Sequence, residues 1–441
     1  MGVQLASPNS QHTTMNIRQF LLLAGATGAA LGTAPAVFGF AEVARGELLL
    51  STSGRAMYDS RVFGGYRSGD DYIFSLDPKL IYKREAGQIK MEADLGARIN
   101  RYLDYTSFNS EDLVASLTLR LPPGGTSLAS GSFLVSYDER TDVNYDVNRR
   151  LREKSFLADL ETSIPVSLKV AVLLEGMFRK DERNQFSDRE TRSGSVGVRY
   201  QNFLGGSRLD LRYRRLEVET SGGNEFGIPL DQSSDIYSAT FSRPLYEEIV
   251  RGFVSYGYRV LHRSRAEVFG GDASEGGSIF SIGIQGPFLP PSRFPKLDSS
   301  LSFSYMKAET PGLNDSTGER FHGNLSLAWQ ARERTKLTFN ARRSLDLSVE
   351  DRTVETTSVF FGVDQAIGNF MTGNLSAGYE ARDYRAPTRE DDAFIFRSSL
   401  HYRITRSWSA TGEYRLRATD STSRVADYAR HVVVLSGNYT F

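Results

Sequence analysis

The chain has 441 residues, and its 53 Lys and Arg balance 53 Asp and Glu, so the formal net charge is zero. That excludes a nucleic-acid binder working by bulk charge. With no Cys and only 5 His, disulfides, thiolate metal sites and a Cys nucleophile are excluded, and a multi-histidine metal centre is disfavoured.

Arg18 precedes Phe20, Leu21, Leu22 and Leu23, and an apolar run from Ala24 to Val37 follows. Small residues recur at Ala34, Ala36, Gly39 and Ala41. This order predicts a signal peptide over 1–41, cleaved after Ala36 or Ala41. The first 14 residues are mostly polar, so Met15 is an alternative true start. Removing 1–41 takes away Arg18 alone, leaving 52 basic residues against 53 acidic ones. No later window holds 18 consecutive apolar residues, which excludes a helical inner-membrane protein.

From there the chain alternates. In Gln88–Asn100, Ile89, Met91, Ala93, Leu95, Ala97 and Ile99 oppose Lys90, Glu92, Asp94 and Arg98. In Leu168–Lys180, Val170, Val172, Leu174, Gly176 and Phe178 oppose Lys169, Glu175 and Arg179. Arg320–Arg332 and Trp408–Arg417 repeat the pattern. Residues two apart do not share a helix face, so a helix would scatter these charges. Ten or more alternating residues is long for a soluble strand, and fits a tilted strand crossing a bilayer.

Connections come in two kinds. Tight ones include Ile164–Val166, Leu204–Gly206, Ile367–Asn369 and Thr405–Ser407. Longer polar ones include Ser60–Asp71, Tyr102–Asp112, Glu139–Arg152, Lys180–Thr191 and Arg382–Arg389. Short turns on one side and long loops on the other mark an outer-membrane barrel, with the short side periplasmic.

Twenty strands are predicted: 47–59, 72–83, 88–100, 112–121, 129–140, 152–163, 166–180, 191–202, 206–219, 232–243, 249–262, 274–286, 296–308, 318–331, 335–349, 353–366, 370–383, 389–404, 408–420 and 425–441. An even count puts both termini on the periplasmic side. Eighteen is the alternative, and the segment with Pro287, Pro290, Pro291 and Pro295 is expected to form an unusually long turn. The fold class is therefore all-β, a single antiparallel up-and-down transmembrane barrel over 42–441 with no plug domain. In the last strand His431, Val433, Leu435, Gly437, Tyr439 and Phe441 share a face. Tyr439 and Phe441 are expected to form the signal read by barrel-assembly machinery.

The opening hairpin carries a more specific signal. Gly54-Arg55-Ala56-Met57-Tyr58-Asp59-Ser60-Arg61-Val62-Phe63 is followed by Asp70 to Leu80 with Asp77-Pro78-Lys79-Leu80, then by an alternating strand ending Arg98-Ile99-Asn100-Arg101-Tyr102. This stretch, roughly 54–102, resembles the putative beta-barrel porin 2 family of Gram-negative bacteria. Tyr58-Asp59 and Val62-Phe63 keep the family's shape, while Ser60 and Arg61 depart from its usual acidic or amide pair. The resemblance implies an outer-membrane barrel, often linked with capsule or exopolysaccharide export.

Functional residues are expected on the polar face, which lines the lumen. The pore-lining set is Arg98, Glu175, Arg179, Arg212, Arg214, Arg342, Arg397, Glu413 and Arg415, with Lys90, Glu92, Asp94, Arg208, Asp210, Lys336, Asn340, Glu380, Arg382, His401, Arg403 and Arg417 beside them. Such charges either pair across strands and brace the wall or form a selective constriction. Trp329, Trp408, Tyr200, Tyr213, Tyr256, Tyr258, Tyr379, Tyr402, Tyr414 and Tyr439 are expected on the lipid side.

No enzyme, cofactor or metal is expected. His262, His322, His401 and His431 follow no nucleophile elbow. Asp70, Asp71, Asp142 and Asp146 read as solvated loop charge, with a calcium site as the sharper alternative. The expected function is a porin-like channel for small hydrophilic solutes, to which the family resemblance adds support of exopolysaccharide export. The alternatives are a structural barrel with an occluded lumen and, remotely, a hydrolase. Expected partners are outer-membrane lipid, lipopolysaccharide, assembly machinery and polysaccharide-export proteins, with no nucleic acid.

Overall fold

Alternation over ten or more residues yields strands too long and too two-faced to pack as a sandwich, so they close on themselves. The structure, a computed structural model, describes residues 41–440 except 44, 65–68, 123–128, 145–146, 148, 185, 222–230, 247–248, 264–273, 290–292, 309–318, 348–352 and 386–387. The predicted signal peptide therefore lies almost wholly outside the described residues, as do Asp146 and Phe441.

A short strand β1 (Ala41–Val43) leads into β2 (Gly46–Asp59), β3 (Asp71–Arg84), β4 (Lys90–Tyr102), β5 (Ser110–Leu121), β6 (Ser130–Asn144) and β7 (Arg149–Pro165). The wall continues through β8 (Val170–Arg183), β9 (Asp188–Gln201), β10 (Arg208–Ser221), β11 (Gln232–Tyr246), β12 (Val250–Arg263), β13 (Ser274–Gln285) and β14 (Leu297–Ala308). It finishes with β15 (Glu319–Arg332), β16 (Thr335–Leu347), β17 (Thr353–Ile367), β18 (Met371–Arg385), β19 (Thr388–Arg403), β20 (Trp408–Ser421) and β21 (Tyr428–Thr440). Each strand pairs antiparallel with the next, and β21 pairs with β2 from Ser51↔Thr440 to Asp59↔Val432. The result is a closed barrel of 20 strands. Closure leaves no sheet edge, which a bilayer requires. β1 pairs with Gly46–Leu48, where β21 has ended.

All 20 predicted strands are present and the 18-strand alternative falls away. The proline-rich segment is an 11-residue connection between Gln285 and Leu297 at the short-turn end. The long polar connections are partly corrected. β6 runs to Asn144 and β7 starts at Arg149, so most of the expected 139–152 loop is strand. β18 and β19 likewise leave only 386–387 between them.

The register sorts the two faces. Phe303 (57% exposed), Leu95 (55%) and Tyr256 (56%) stand on the outside with the other exposed apolar residues. On β3 the outward Tyr72 and Tyr82 are ten residues apart. That is about 33 Å along the strand, or about 25 Å at a tilt near 40°, the height of an outer-membrane apolar band. Trp408 and Tyr439 meet at 4.7 Å near the short-turn rim, as do Phe294 and Trp329 at 5.1 Å. Tyr213 and Tyr237 (5.2 Å) and Tyr305 and Phe321 (4.9 Å) lie further towards the long-loop rim. All ten aromatics expected on the lipid side occupy the outer face by register.

Candidate functional site in the barrel lumen

The inner face is built by period two alone: a residue opposite an inward residue is itself inward. Following the pairs around the barrel places Arg98, Glu175, Arg179, Arg212, Arg214, Arg342, Arg397, Glu413 and Arg415 on that face. They do not form one ring but fall into separate arcs.

One arc spans β8 to β12. Asp210 is 95% buried and takes the Arg199 guanidinium in a two-pronged contact, Nε at 3.0 Å and Nη2 at 3.1 Å. Arg208 lies 3.6 Å and Arg212 3.8 Å from the same carboxylate. Glu175 accepts from Arg212, from Arg214 at 2.8 Å and from the Ser195 hydroxyl at 2.9 Å. Arg179 donates to Asp181 at 2.8 Å. Arg98 stands apart, 3.8 Å from Asp138.

A second arc spans β18 to β21 and β2. Glu413 holds Arg397 at 3.0 Å and Arg415 at 2.6 Å. Glu380 holds Arg382 at 2.9 Å and Arg417 at 2.8 Å. Arg55 meets Asp77 at 2.6 Å. Between the arcs, β11 to β17 present hydroxyls and amides. Thr240 and Ser255 pair at 2.8 Å, as do Ser281 and Ser304. Arg342 sits in this polar sector, opposite Asn324 and Ser358. The more exposed of these pairs contribute under about 1 kcal/mol each. Their main effect is to fix guanidinium positions on the wall.

A different feature sits at the long-loop rim, where segments 60–64 and 103–109 turn inwards. Val62 (0% exposed) packs on inward-facing Ile73 and Tyr102, with Met57, Phe63, Tyr105 and Phe108 around them. Two buried carboxylates tie this cluster down. Asp71 accepts from the backbone N–H groups of Tyr72 (2.7 Å), Asp104 and Tyr105 (both 3.0 Å). Asp59 is fully buried and takes Arg430 through Nε at 2.9 Å and Nη2 at 2.6 Å. Arg150, from the β6–β7 hairpin, comes within 3.9 Å of Asp59. Its Nε donates to the Val62 carbonyl at 3.1 Å and its guanidinium lies 5.0 Å from the Tyr102 ring centre.

Sequence reasoning missed this cluster. Asp71 is neither solvated nor grouped for calcium; it caps a loop. Asp142 is engaged by Arg140 at 2.7 Å. Among the described residues no group of acidic or histidine side chains is arranged to hold a metal. The one available signal was the phase of Arg430, which puts an arginine on the inner face of the last strand. Its partner 371 residues away could not be read. Of the expected assembly signal, Tyr439 packs on Trp408 on the outer face. His401 Nδ1 lies 3.0 Å from Thr411 Oγ1, and His431 Nδ1 lies 2.8 Å from Tyr414 Oη on the outer face.

The family model of Putative beta-barrel porin 2 matches residues 301–439. It is the family that the opening hairpin resembles, but the match falls on β14 to β21 rather than on 54–102. No curated protein matches the sequence. Among solved structures, the copper transporter OprC is similar at TM-score 0.50 and 10% identity, over 92% of this chain and 82% of that one. The siderophore receptor PiuA from Acinetobacter baumannii gives 0.49 at 9%, over 94% and 85%. OccK2 (OpdF) of Pseudomonas aeruginosa gives 0.40 at 14%, over 92% and 100%. At such identities the likeness is one of fold.

Proposed function

We propose that this chain is an outer-membrane channel of porin type that passes small hydrophilic solutes and is not an enzyme. The observation that carries the reading is a charged inner face on a closed wall of 20 strands. Twenty strands about 4.8 Å apart, tilted near 40°, set a backbone diameter of roughly 40 Å. Among the described residues the inward cluster at 60–64 and 103–109 occupies one sector of the rim. Arg98, Glu175, Arg179, Arg212, Arg214, Arg342, Arg397, Glu413 and Arg415 would line the path. The partial family match supports the same reading.

In this reading the short-turn rim and both termini face the periplasm, and 1–41 is the export signal. Ala41 pairs with Leu48, so cleavage after Ala36 keeps β1 whole. Lipid and lipopolysaccharide surround the apolar band, and assembly machinery reads the last strand through Tyr439 and Phe441. Support of exopolysaccharide export, with export proteins as partners, follows from the family resemblance.

A second reading, a structural barrel with an occluded lumen, is favoured by the packed cluster at the rim. Single-channel recording of the refolded mature protein in a planar bilayer separates them. The channel reading expects large stable steps, reduced by added oligosaccharide if a saccharide path exists. A heat-modifiable, folded barrel giving no steps would overturn it.

A further inference from the structure

The inner wall near the short-turn rim holds a concavity of about 450 Å³ between β10 and β13. That size falls within the usual range for small-molecule sites. Arg208, Arg212 and Arg214 of β10, with Asp210 among them, and Arg251 of β12 flank Ser238 and Ser242 of β11, Gln285 lies beside Arg251, and Ile236 and Phe253 supply apolar lining. We propose that this concavity binds a small hydroxylated carboxylate, its carboxylate on the arginines and its hydroxyls on Ser238, Ser242 and Gln285.

The charge balance comes first. Arg199, Arg208, Arg212 and Arg214 share two carboxylates, Asp210 and Glu175, and Arg251 stands beside them. Arg251 makes one long hydrogen bond, to the Gly206 carbonyl at 3.4 Å, and has no carboxylate within 4 Å among the described residues. Uncompensated guanidiniums on a partly dehydrated wall recruit an anion, and their planar fork fits a carboxylate in two-pronged fashion.

The second observation is independent of charge. The Ser242 hydroxyl is buried, with the residue 3% exposed, and has no hydrogen-bond partner. Buried polar groups are nearly always satisfied, and this orphan belongs to a residue that lines the concavity. Ser238 and Gln285 also make no side-chain hydrogen bond among the described residues. The Phe253 and Ile236 lining suits a carbon skeleton better than an inorganic anion.

This deepens the channel reading and rests on it for its role in transport, but the binding is measurable without conductance. Gluconate is the probe, sorbitol its neutral counterpart, and inorganic phosphate the small-anion control. Titration calorimetry on the folded barrel in detergent should show gluconate binding and no sorbitol binding. Arg251→Gln removes no ion pair, so the barrel should fold normally by heat-modifiable gel mobility while gluconate affinity falls about tenfold. Ser242→Ala should lower it several-fold. Equal binding of gluconate and sorbitol, unchanged affinity in Arg251→Gln, or tighter binding of phosphate would each overturn the proposal. Bilayer recordings on the same preparation keep the two readings apart. Conductance without gluconate binding removes the site alone, and binding without conductance removes the channel alone.

Discussion

The most telling single residue is Asp59, a fully buried carboxylate held by Arg430 across the closing seam of the barrel. A buried ion pair adds little over a well-packed apolar pair, but removing one partner strands the other charge. Arg430→Met should therefore destabilise the barrel by about 3–5 kcal/mol. Asp59→Asn combined with Arg430→Met should recover a large part of that loss. Urea unfolding of the four proteins in a double-mutant cycle measures this. Single and double variants of equal stability would remove the seam pair from the account of closure. The chain pattern places Arg430 on the inner face, but no pattern shows that it meets Asp59. The partners become neighbours only when the first and last strands pair.

At the scale of the element, alternation works because one face meets lipid and the other water. Where both faces meet water the contrast fades, although the strand continues. That is why Glu139–Arg152 read as a loop while β6 and β7 in fact extend to Asn144 and from Arg149. Within the bilayer the two faces should respond oppositely to charge. Phe303 is outward and 57% exposed, whereas its neighbour Ser302 is inward, opposite Gly283 and Asn324. Phe303→Arg should cost about 2–4 kcal/mol near the midplane, and Ser302→Arg under about 1 kcal/mol. Unfolding titrations from lipid vesicles report both, and similar costs would mean that the register is slipped by one residue.

For the whole molecule, closure at 20 strands sets the girth of the wall, and in the proposed channel the inward cluster narrows the bore at one rim. Val62, Tyr102 and Phe108 owe their burial to inward-turned segments rather than to the wall. Tyr102→Ala with Phe108→Ala should loosen this sector and raise unitary conductance while heat-modifiable mobility is retained, because the wall pairing is untouched. Unchanged conductance in a folded variant would place the narrowest point elsewhere, among the arginines of the inner wall.

The sequence by itself determined the all-β barrel class, the place of each strand and the alternation of two faces, while the choice of 20 strands over 18 waited for closure. Those first three depend on a period of two that lipid and water impose on any strand between them. Only the tertiary structure decided which charges meet, how the seam is locked and which loops turn inwards. These contacts join residues far apart in the chain, from Asp59 to Arg430 or from Val62 to Arg150. Their geometry follows from barrel closure and loop packing, to which a local alternation of apolar and polar residues is blind.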